Sequence, residues 1–318
     1  MTKGDDRGSE SVSPLRVVYV VGAGRSGSTV LDTILGSHPR VAGFGELVNL
    51  PRAGWINNEY CACGVRALDC PFWSAVRARW HELQPDTDCV EYARLQDAFT
   101  RFRRLPYLMA AHRLGTEAFR RYESQTVALF RSIADVADVD IVVDSSKSPV
   151  RGRILRVLSG LDVRFIHLVR DGRAVTWSYR KRHARDEKAG LQRAIEPMPT
   201  WRVAAAWTAT NLLAETLLGD RAQRQSGRLR YETLVTRPDE ALGTLEGLVG
   251  VDLSDVGARV ASGQSVPVGH TIAGNRLRMN GSVTLTCDFS WEEELSSRDA
   301  RRFVRLAGWM LRRYGYIG

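Results

Sequence analysis

Apolar positions along the chain follow two alternating rhythms. Short runs rich in β-branched residues, Arg16-Val-Val-Tyr-Val-Val21, Asp140-Ile-Val-Val-Asp144, Val163-Arg-Phe-Ile-His-Leu-Val169 and Arg228-Leu-Arg-Tyr231, predict buried strands. Val41 to Gly45 predicts a shorter one. Between them the spacing turns helical. Val30, Leu31, Ile34 and Leu35 mark a helix over Ser28–Ser37, stopped by His38-Pro39. Further helices are predicted over 151–158, 171–182, 201–221, 238–248 and 297–314. Strands alternating with helices argue for an α/β fold of three layers, with a central parallel sheet flanked by helices on both faces. Three amphipathic stripes near 73–83, 89–105 and 115–137 interrupt that alternation as a helical insertion, about 73–137, whose apolar faces are expected to pack as core. Residues 1–14 are polar, without an apolar stretch, and predict a disordered tail; 15–318 is expected to be a single domain. Segments 50–70, 183–199 and 262–290 lack periodicity. The last is long enough to suggest a functional loop.

The first strand and helix enclose Gly22-Ala-Gly-Arg-Ser-Gly-Ser-Thr29. A glycine-rich turn in that setting points successive backbone N–H groups inward, and the helix start adds unpaired donors and a partial positive charge. Gly24, Arg25, Ser26, Gly27, Ser28 and Thr29 are therefore candidate anion-binding residues. The spacing is P-loop-like, G-x4-G-K-[ST], with one exception: Ser28 stands where a nucleoside triphosphatase carries its lysine, and the cation is Arg25 inside the loop. That exchange disfavours hydrolysis of ATP or GTP. It suits a less charged donor held by arginine and hydroxyls, with no metal expected. Asp144 resembles a Walker-B aspartate, but without the loop lysine no magnesium is inferred.

A second anion site is read at Arg170, which ends a strand where open α/β sheets bind ligands, with Ser178 eight residues further on in the following helix. Two anion sites on neighbouring strands suggest a nucleotide phosphorylated at two places.

Charge sharpens this reading only slightly. The formal net charge is +9, and the excess is arginine: the lysines are Lys3, Lys147, Lys181 and Lys188. Arginine suits phosphate and sulfate through its planar fork, although a GC-rich genome would also supply it. No basic run interleaved with aromatics, zinc-finger pattern or helix-turn-helix supports nucleic acid as a partner. No stretch is long and apolar enough for a membrane span, and a cytoplasmic location is the default expectation. Among the cysteines, Cys61, Cys63 and Cys70 cluster as C-x-C-x6-C; free thiols, a disulfide and a metal site all remain open, since the fourth ligand that zinc wants is not obvious.

Taken together, the two anion segments resemble sulfotransferases that use 3'-phosphoadenosine-5'-phosphosulfate. Gly22–Thr29 is similar to the family's 5'-phosphosulfate loop, and Arg170 and Ser178, within Leu-Val-Arg-Asp-Gly-Arg-Ala, to its 3'-phosphate motif. Arg230-Tyr-Glu-Thr-Leu resembles the segment whose tyrosine, here Tyr231, lies near the adenine. Gly274-Asn275-Arg276-Leu277-Arg278 resembles a late bacterial loop that closes over the nucleotide, which implies Asn275, Arg276 and Arg278 as donor contacts. Asp144-Ser-Ser-Lys-Ser-Pro149 and the Cys-x-Cys…Cys-Pro-Phe-Trp stretch also occur in bacterial members. The pattern is closer to Golgi and tyrosylprotein types than to animal cytosolic ones: the loop cation is arginine, and Gly45-Glu46 stands where those types carry their base. The resemblance thus implies Glu46 as general base; Arg25, inside the anion loop, and Lys147, on a loop at the end of a parallel strand, are expected to stabilise the transferring group. His183 and His270 are the alternative bases, and His167, mid-strand, is expected to be core. The sequence does not give the acceptor: a bacterial natural product, a glycan or lipid and a protein tyrosine all fit, and a hydroxyl on a small bacterial metabolite or a glycoconjugate is the expectation. Arg101, Arg103, Arg104, Arg120 and Arg121 are candidates for recognising an acidic one. A small-molecule kinase and a non-catalytic nucleotide-binding protein are the competing readings, and oligomeric state is open.

Overall fold

A computed structural model describes residues 13–101, 105–182, 184–190, 192, 194, 196–219 and 225–318. Arg103, Arg104, His183 and residues 1–12 of the expected tail lie outside them.

Five parallel strands form the central sheet: β1 (Leu15–Val21), β2 (Val41–Gly43), β3 (Ile141–Lys147), β4 (Leu161–Val169) and β5 (Ser226–Arg230), in the order β2-β3-β1-β4-β5. β1 pairs β3 from Arg16–Ile141 to Tyr19–Asp144 and pairs β4 along its whole length. Strand alternation explains why β1 is apolar throughout. Val17, Tyr19 and Val21 enter one core layer and Val18 and Val20 the other. The second layer is filled by α1 (Ser28–Leu35), through Val30, Leu31, Ile34 and Leu35.

The first layer takes the insertion, four helices between β2 and β3: α2 (Pro71–Leu83), α3 (Cys89–Thr100), α4 (Leu105–Leu114) and α5 (Glu117–Ala137). Their buried aromatics, Trp73, Trp80, Tyr92, Phe99, Phe119 and Tyr122, form one cluster with the sheet, as the apolar stripes predicted. The stripe over 89–105 corrects to a helix ending at Thr100, and α4 is an element the periodicity missed. On this side also lie α6 (Pro149–Leu155) and part of α8 (Thr200–Leu218). A third cluster joins β4 and α7 (Gly172–Arg180) to α8 and the C-terminal helix Ser297–Arg313 through Val169, Val175, Trp207, Phe303 and Met310.

Three further expectations are corrected. The single helix over 238–248 is two short ones, Pro238–Gly243 and Glu246–Val249, preceded by Tyr231–Thr236 and followed by Ser254–Ala261. Residues 50–70 contain a π-helical turn, Leu50–Ile56. Within 262–290, Val266–Pro267 pairs antiparallel with Ser282–Val283, closing a loop over the carboxyl end of the sheet. Among the described residues, no helix is long and apolar enough to cross a membrane.

Candidate functional site

The carboxyl ends of β1, β3 and β4 share one crevice, where connections leave the sheet in opposite directions. A cavity of about 310 Å³ opens there. It is lined by Gly24, Arg25, Gly27, Ser28 and Thr29 after β1, by Glu46 after β2, by Lys147 at the end of β3, and by Arg170 and Ser178 after β4. Tyr231, Gly274, Asn275 and Arg276 are also on the wall. Of the residues read as donor contacts, Ser26 and Arg278 are not on it; both are buried, at 2% and 1% exposure. An adjoining space of about 360 Å³ shares Arg25, Arg170, Ser178, Tyr231 and Asn275 and continues toward Trp177 and Thr286.

The β1–α1 loop is shaped to receive an anion. Gly27 caps α1 with φ 91°, and no side chain fills the helix start. A Cβ on Gly27 would sit 2.3 Å from the Tyr231 ring, so the close approach requires glycine. Arg25 also holds a left-handed φ of 67°, which costs a residue with a side chain about 1–2 kcal/mol. The buried Ser26 hydroxyl has no partner among the described residues. Open helix donors, a glycine cradle, a strained arginine and an unsatisfied hydroxyl fit an anion in the loop.

Arg170 joins this loop to the place where the sequence predicts a second anion. Its Nη1 donates to the Arg25 carbonyl at 3.1 Å, and its guanidinium stacks 4.5 Å from the Tyr231 ring centroid. Trp207 Nε1 donates to the Arg170 carbonyl at 3.1 Å. The side chain is thus aimed along the crevice, with Ser178 on α7 beside it.

Glu46 and Lys147, both on the cavity wall, form an ion pair. Asn49 Nδ2 donates to the other Glu46 oxygen at 2.9 Å. Lys147 has φ 66°, left-handed like Arg25. The neighbouring Gly45 is held from beneath by Asp32, whose Oδ2 accepts from the Gly45 N–H at 3.0 Å. Burial pushes the Asp32 carboxyl up to about 7, against the hydrogen bonds from Gly45 and Ser145 that lower it. Sequence reasoning missed Asp32. It sits amid the apolar positions of α1, and only its contact with the β2 loop sets it apart.

Asp144 is fully buried and ion-paired to Arg151 Nε at 3.1 Å, while its Oδ1 accepts from the Ser146 N–H. It therefore braces β3 against α6. His167 is buried in the core as its mid-strand position predicted. Its Nε2 meets Asn211 Oδ1 at 3.0 Å, and burial lowers its imidazole to about 4. His270 is not on the cavity wall: its ring stacks on Phe72 and its Nδ1 lies 3.2 Å from Cys70 Sγ. Arg101 pairs with Asp97 and Arg121 with Glu91.

The profile of the family described as "Sulfotransferase family" matches residues 17–255, most of the chain and the whole of the first two anion segments. The chain belongs to the sulfotransferase family. No curated protein sequence gives a significant match to it. Solved structures similar to this sulfotransferase include the sulfotransferase domain from the Curacin biosynthetic pathway, at 17% identity and TM-score 0.49, covering 92% of this chain and 96% of that one. The sulfotransferase domain of the Synechococcus PCC 7002 olefin synthase has 19% identity and TM-score 0.43, with coverage of 93% and 89%. Sulfotransferase STF9 from Mycobacterium avium has 13% identity and TM-score 0.45, with coverage of 96% and 77%.

The late loop of this sulfotransferase reaches the site from far along the chain. The Asn275 N–H donates to Thr29 Oγ1 at 3.4 Å, while Asn275 Oδ1 caps the short turn Arg276–Asn280. Gly45, at φ 75°, lies so close to Thr271 and Ala273 that a Cβ would meet the Ala273 carbonyl at 2.7 Å. The loop therefore packs against both the anion loop and the Gly45-Glu46 turn. Arg278 turns inward beneath it, with Nε and Nη1 unpartnered among the described residues.

Proposed function

We propose that the chain transfers a sulfuryl group from 3'-phosphoadenosine-5'-phosphosulfate to a hydroxyl of a small metabolite or glycoconjugate. The observation that carries the proposal is the shared cavity. An anion loop at the start of α1 and a second cationic position at Arg170 and Ser178 open onto the same space, joined by the Arg170–Arg25 hydrogen bond. That spacing suits a nucleotide bearing a 5'-phosphosulfate at the loop and a 3'-phosphate at Arg170, with Tyr231 against the base.

In this reading the loop N–H groups and Arg25 stabilise charge that grows on the bridging oxygen as its bond to sulfur breaks. Sulfuryl transfer is treated like phosphoryl transfer, an in-line displacement governed by positioning and electrostatics. Lys147 turns from Glu46 toward the sulfuryl oxygens, freeing the carboxylate. Glu46 then takes the proton of the acceptor hydroxyl as the new O–S bond forms, and adenosine 3',5'-bisphosphate leaves. The Asn49 and Asp32 contacts hold Glu46 and its turn in place.

The kinase reading is weakened by Asp144. A metal-dependent phosphoryl transfer needs a carboxylate for the ion, and this one is spent on Arg151 inside the core. Calorimetric titration with adenosine 3',5'-bisphosphate, without metal, tests the proposal against ATP with magnesium. Metal-free binding of the bisphosphate with weak ATP binding is expected. Magnesium-dependent ATP binding alone would replace the sulfuryl donor with a phosphoryl donor.

A further inference from the structure

Outside the donor cavity, the fold gathers a second set of reactive side chains. Cys61, Cys63, Cys70 and His270 each offer one ligand atom, and all four atoms lie within 4.8 Å of one another. The cysteines come from one segment. An antiparallel bridge between Tyr60 and Arg66 makes a tight turn, in which the Cys61 N–H donates to the Val65 carbonyl at 2.8 Å. Gly64, at φ 90°, lets the chain reverse just after Cys63. Cys70 follows at the N-terminal end of α2. The fourth group arrives from 200 residues further along, because the Ala62 N–H docks on the Thr271 carbonyl at 2.9 Å and the His270 ring stacks on Phe72.

The spacings match a tetrahedron around zinc. Bonds of about 2.3 Å to sulfur and 2.0–2.1 Å to nitrogen give S···S edges of roughly 3.8 Å and S···N edges of roughly 3.6 Å. Cys63 and Cys70 sulfurs are 3.7 Å apart, and His270 Nδ1 lies 3.8 Å from Cys61 Sγ and 3.2 Å from Cys70 Sγ. A disulfide would need sulfurs at about 2.0 Å, and all these cysteines are free thiols. It would also leave one thiol and the imidazole of the cluster without a role. Three thiolates and an imidazole, soft donors in a closed set of four, select zinc in a structural rather than a catalytic site. Three thiolates on a dication leave one net negative charge, and the buried Arg278 guanidinium lies within electrostatic reach of Cys61 to balance it.

We infer that Cys61, Cys63, Cys70 and His270 bind a structural zinc ion that fastens the late loop to the helical insertion. His270 begins the segment that carries Gly274, Asn275 and Arg276 to the cavity wall, so the ion anchors that wall at its root. The inference stands on the four ligands and does not depend on the identity of the donor nucleotide.

The test uses the full-length chain purified under reducing conditions without chelators. Elemental analysis should find stoichiometric zinc, released when thiols are modified with a mercurial. Cobalt exchanged into the site should show thiolate charge-transfer bands and the visible absorption of tetrahedral coordination. Cys63→Ser and His270→Gln should give up the ion to a competing chelator that leaves the wild type loaded, whereas Cys287→Ser, outside the cluster, should keep it. Chelation should also speed amide hydrogen exchange across 268–280. Circular dichroism checks that the variants fold, and the thiol-release and cobalt measurements on wild type decide the matter if they do not. A wild-type chain that takes up no zinc at one equivalent, a Cys63–Cys70 disulfide in the reduced preparation, or zinc held equally by Cys63→Ser and His270→Gln would each overturn the inference.

Discussion

The two walls of the cavity at the carboxyl end of the sheet are built by opposite means. One is continuous in sequence: β1 runs into Gly24–Thr29 and on into α1, and the sheet fixes that loop on both sides. The other, around Asn275 and Arg276, meets Thr29 from 246 residues away through one long hydrogen bond and close contacts at Gly45. It has little regular structure beyond a short turn and a ribbon of two-residue strands. The first wall is preorganised by the core. The second depends on what anchors the loop, and local stability should differ between them accordingly.

Glu46 stands where the walls meet, since a Cβ on Gly274 would lie 3.8 Å from its Oε1. Replacing it should therefore produce the largest effect. In Glu46→Gln the amide keeps the shape and cannot take a proton. Turnover should fall about 10²–10⁴-fold, while bisphosphate affinity, set by the two anion positions, should hold. Single-turnover kinetics beside calorimetry separates these. Turnover near wild type would move the base elsewhere.

Asp32 supports the sheet-fixed wall, and its effect should be read in stability. Its carboxyl is raised from 3.8 to about 7 in the folded chain. Between those values the folded state keeps a proton that the unfolded state releases. The stability is thus fully present below about pH 4 and is lost as pH rises toward 7. Asp32→Asn can still accept from Gly45 and removes that loss. Relative to wild type, the variant should gain about 3 kcal/mol between pH 5 and pH 8, measured by urea unfolding at both. A difference constant with pH would mean that Asp32 ionises normally in its buried position.

Arg170 belongs to the same wall and, in the proposed function, holds the 3'-phosphate. Removing a charge-assisted contact costs about 1.5–3 kcal/mol. Arg170→Ala should weaken bisphosphate binding roughly 10–100-fold and leave unfolding nearly unchanged, because the Trp207 bond goes to the backbone carbonyl. Arg170→Lys should recover part of the affinity. It keeps the charge but loses the fork and the Tyr231 stack. Bisphosphate affinity that survives Arg170→Ala would take the 3'-phosphate away from this position.

What was legible in the sequence follows the same division. The β1 loop, Arg170 and Ser178 show because each lies beside a strand whose periodicity announces it, and a loop of fixed spacing keeps its residues together. Glu46 lies just past β2 and Lys147 ends β3, although their ion pair needs β2 and β3 to be neighbours. Asp32 was hidden because nothing in a helical stripe tells a buried carboxylate from an exposed one. Arg278 was read as a donor contact from its motif, and its burial depends on the packing of Gly190 over its guanidinium. The fourth member of the cysteine cluster was invisible for the simplest reason: His270 meets Cys70 through tertiary contacts, and no local spacing encodes that. In the fold, α4 was missed because it lies between two predicted stripes and buries little of its own, Leu108 and Ala111. The helix expected over 238–248 was broken where Gly243 and Thr244 interrupt the apolar face.

The smallest expected effect tests the loosely held wall directly. If the cysteine–histidine cluster anchors the late loop, freeing it should not destroy the donor site, because the β1 loop, Arg170 and Tyr231 belong to the sheet and its neighbours. It should only lower the fraction of molecules whose Asn275 and Arg276 are in position. Apparent affinity falls in proportion to that fraction. A loop closed for about a tenth to a third of the time would weaken bisphosphate binding roughly 3–10-fold. Cys63→Ser should therefore show a modest rise in Kd. Arg170→Ala made in the Cys63→Ser background should add its full cost, since the two act on separate walls. A loss as large as that of Arg170→Ala would mean that the late loop, and not the β1 loop, supplies the main grip on the nucleotide. An unchanged Kd, with the ion gone, would mean that the Thr29 and Gly45 contacts hold the loop without help.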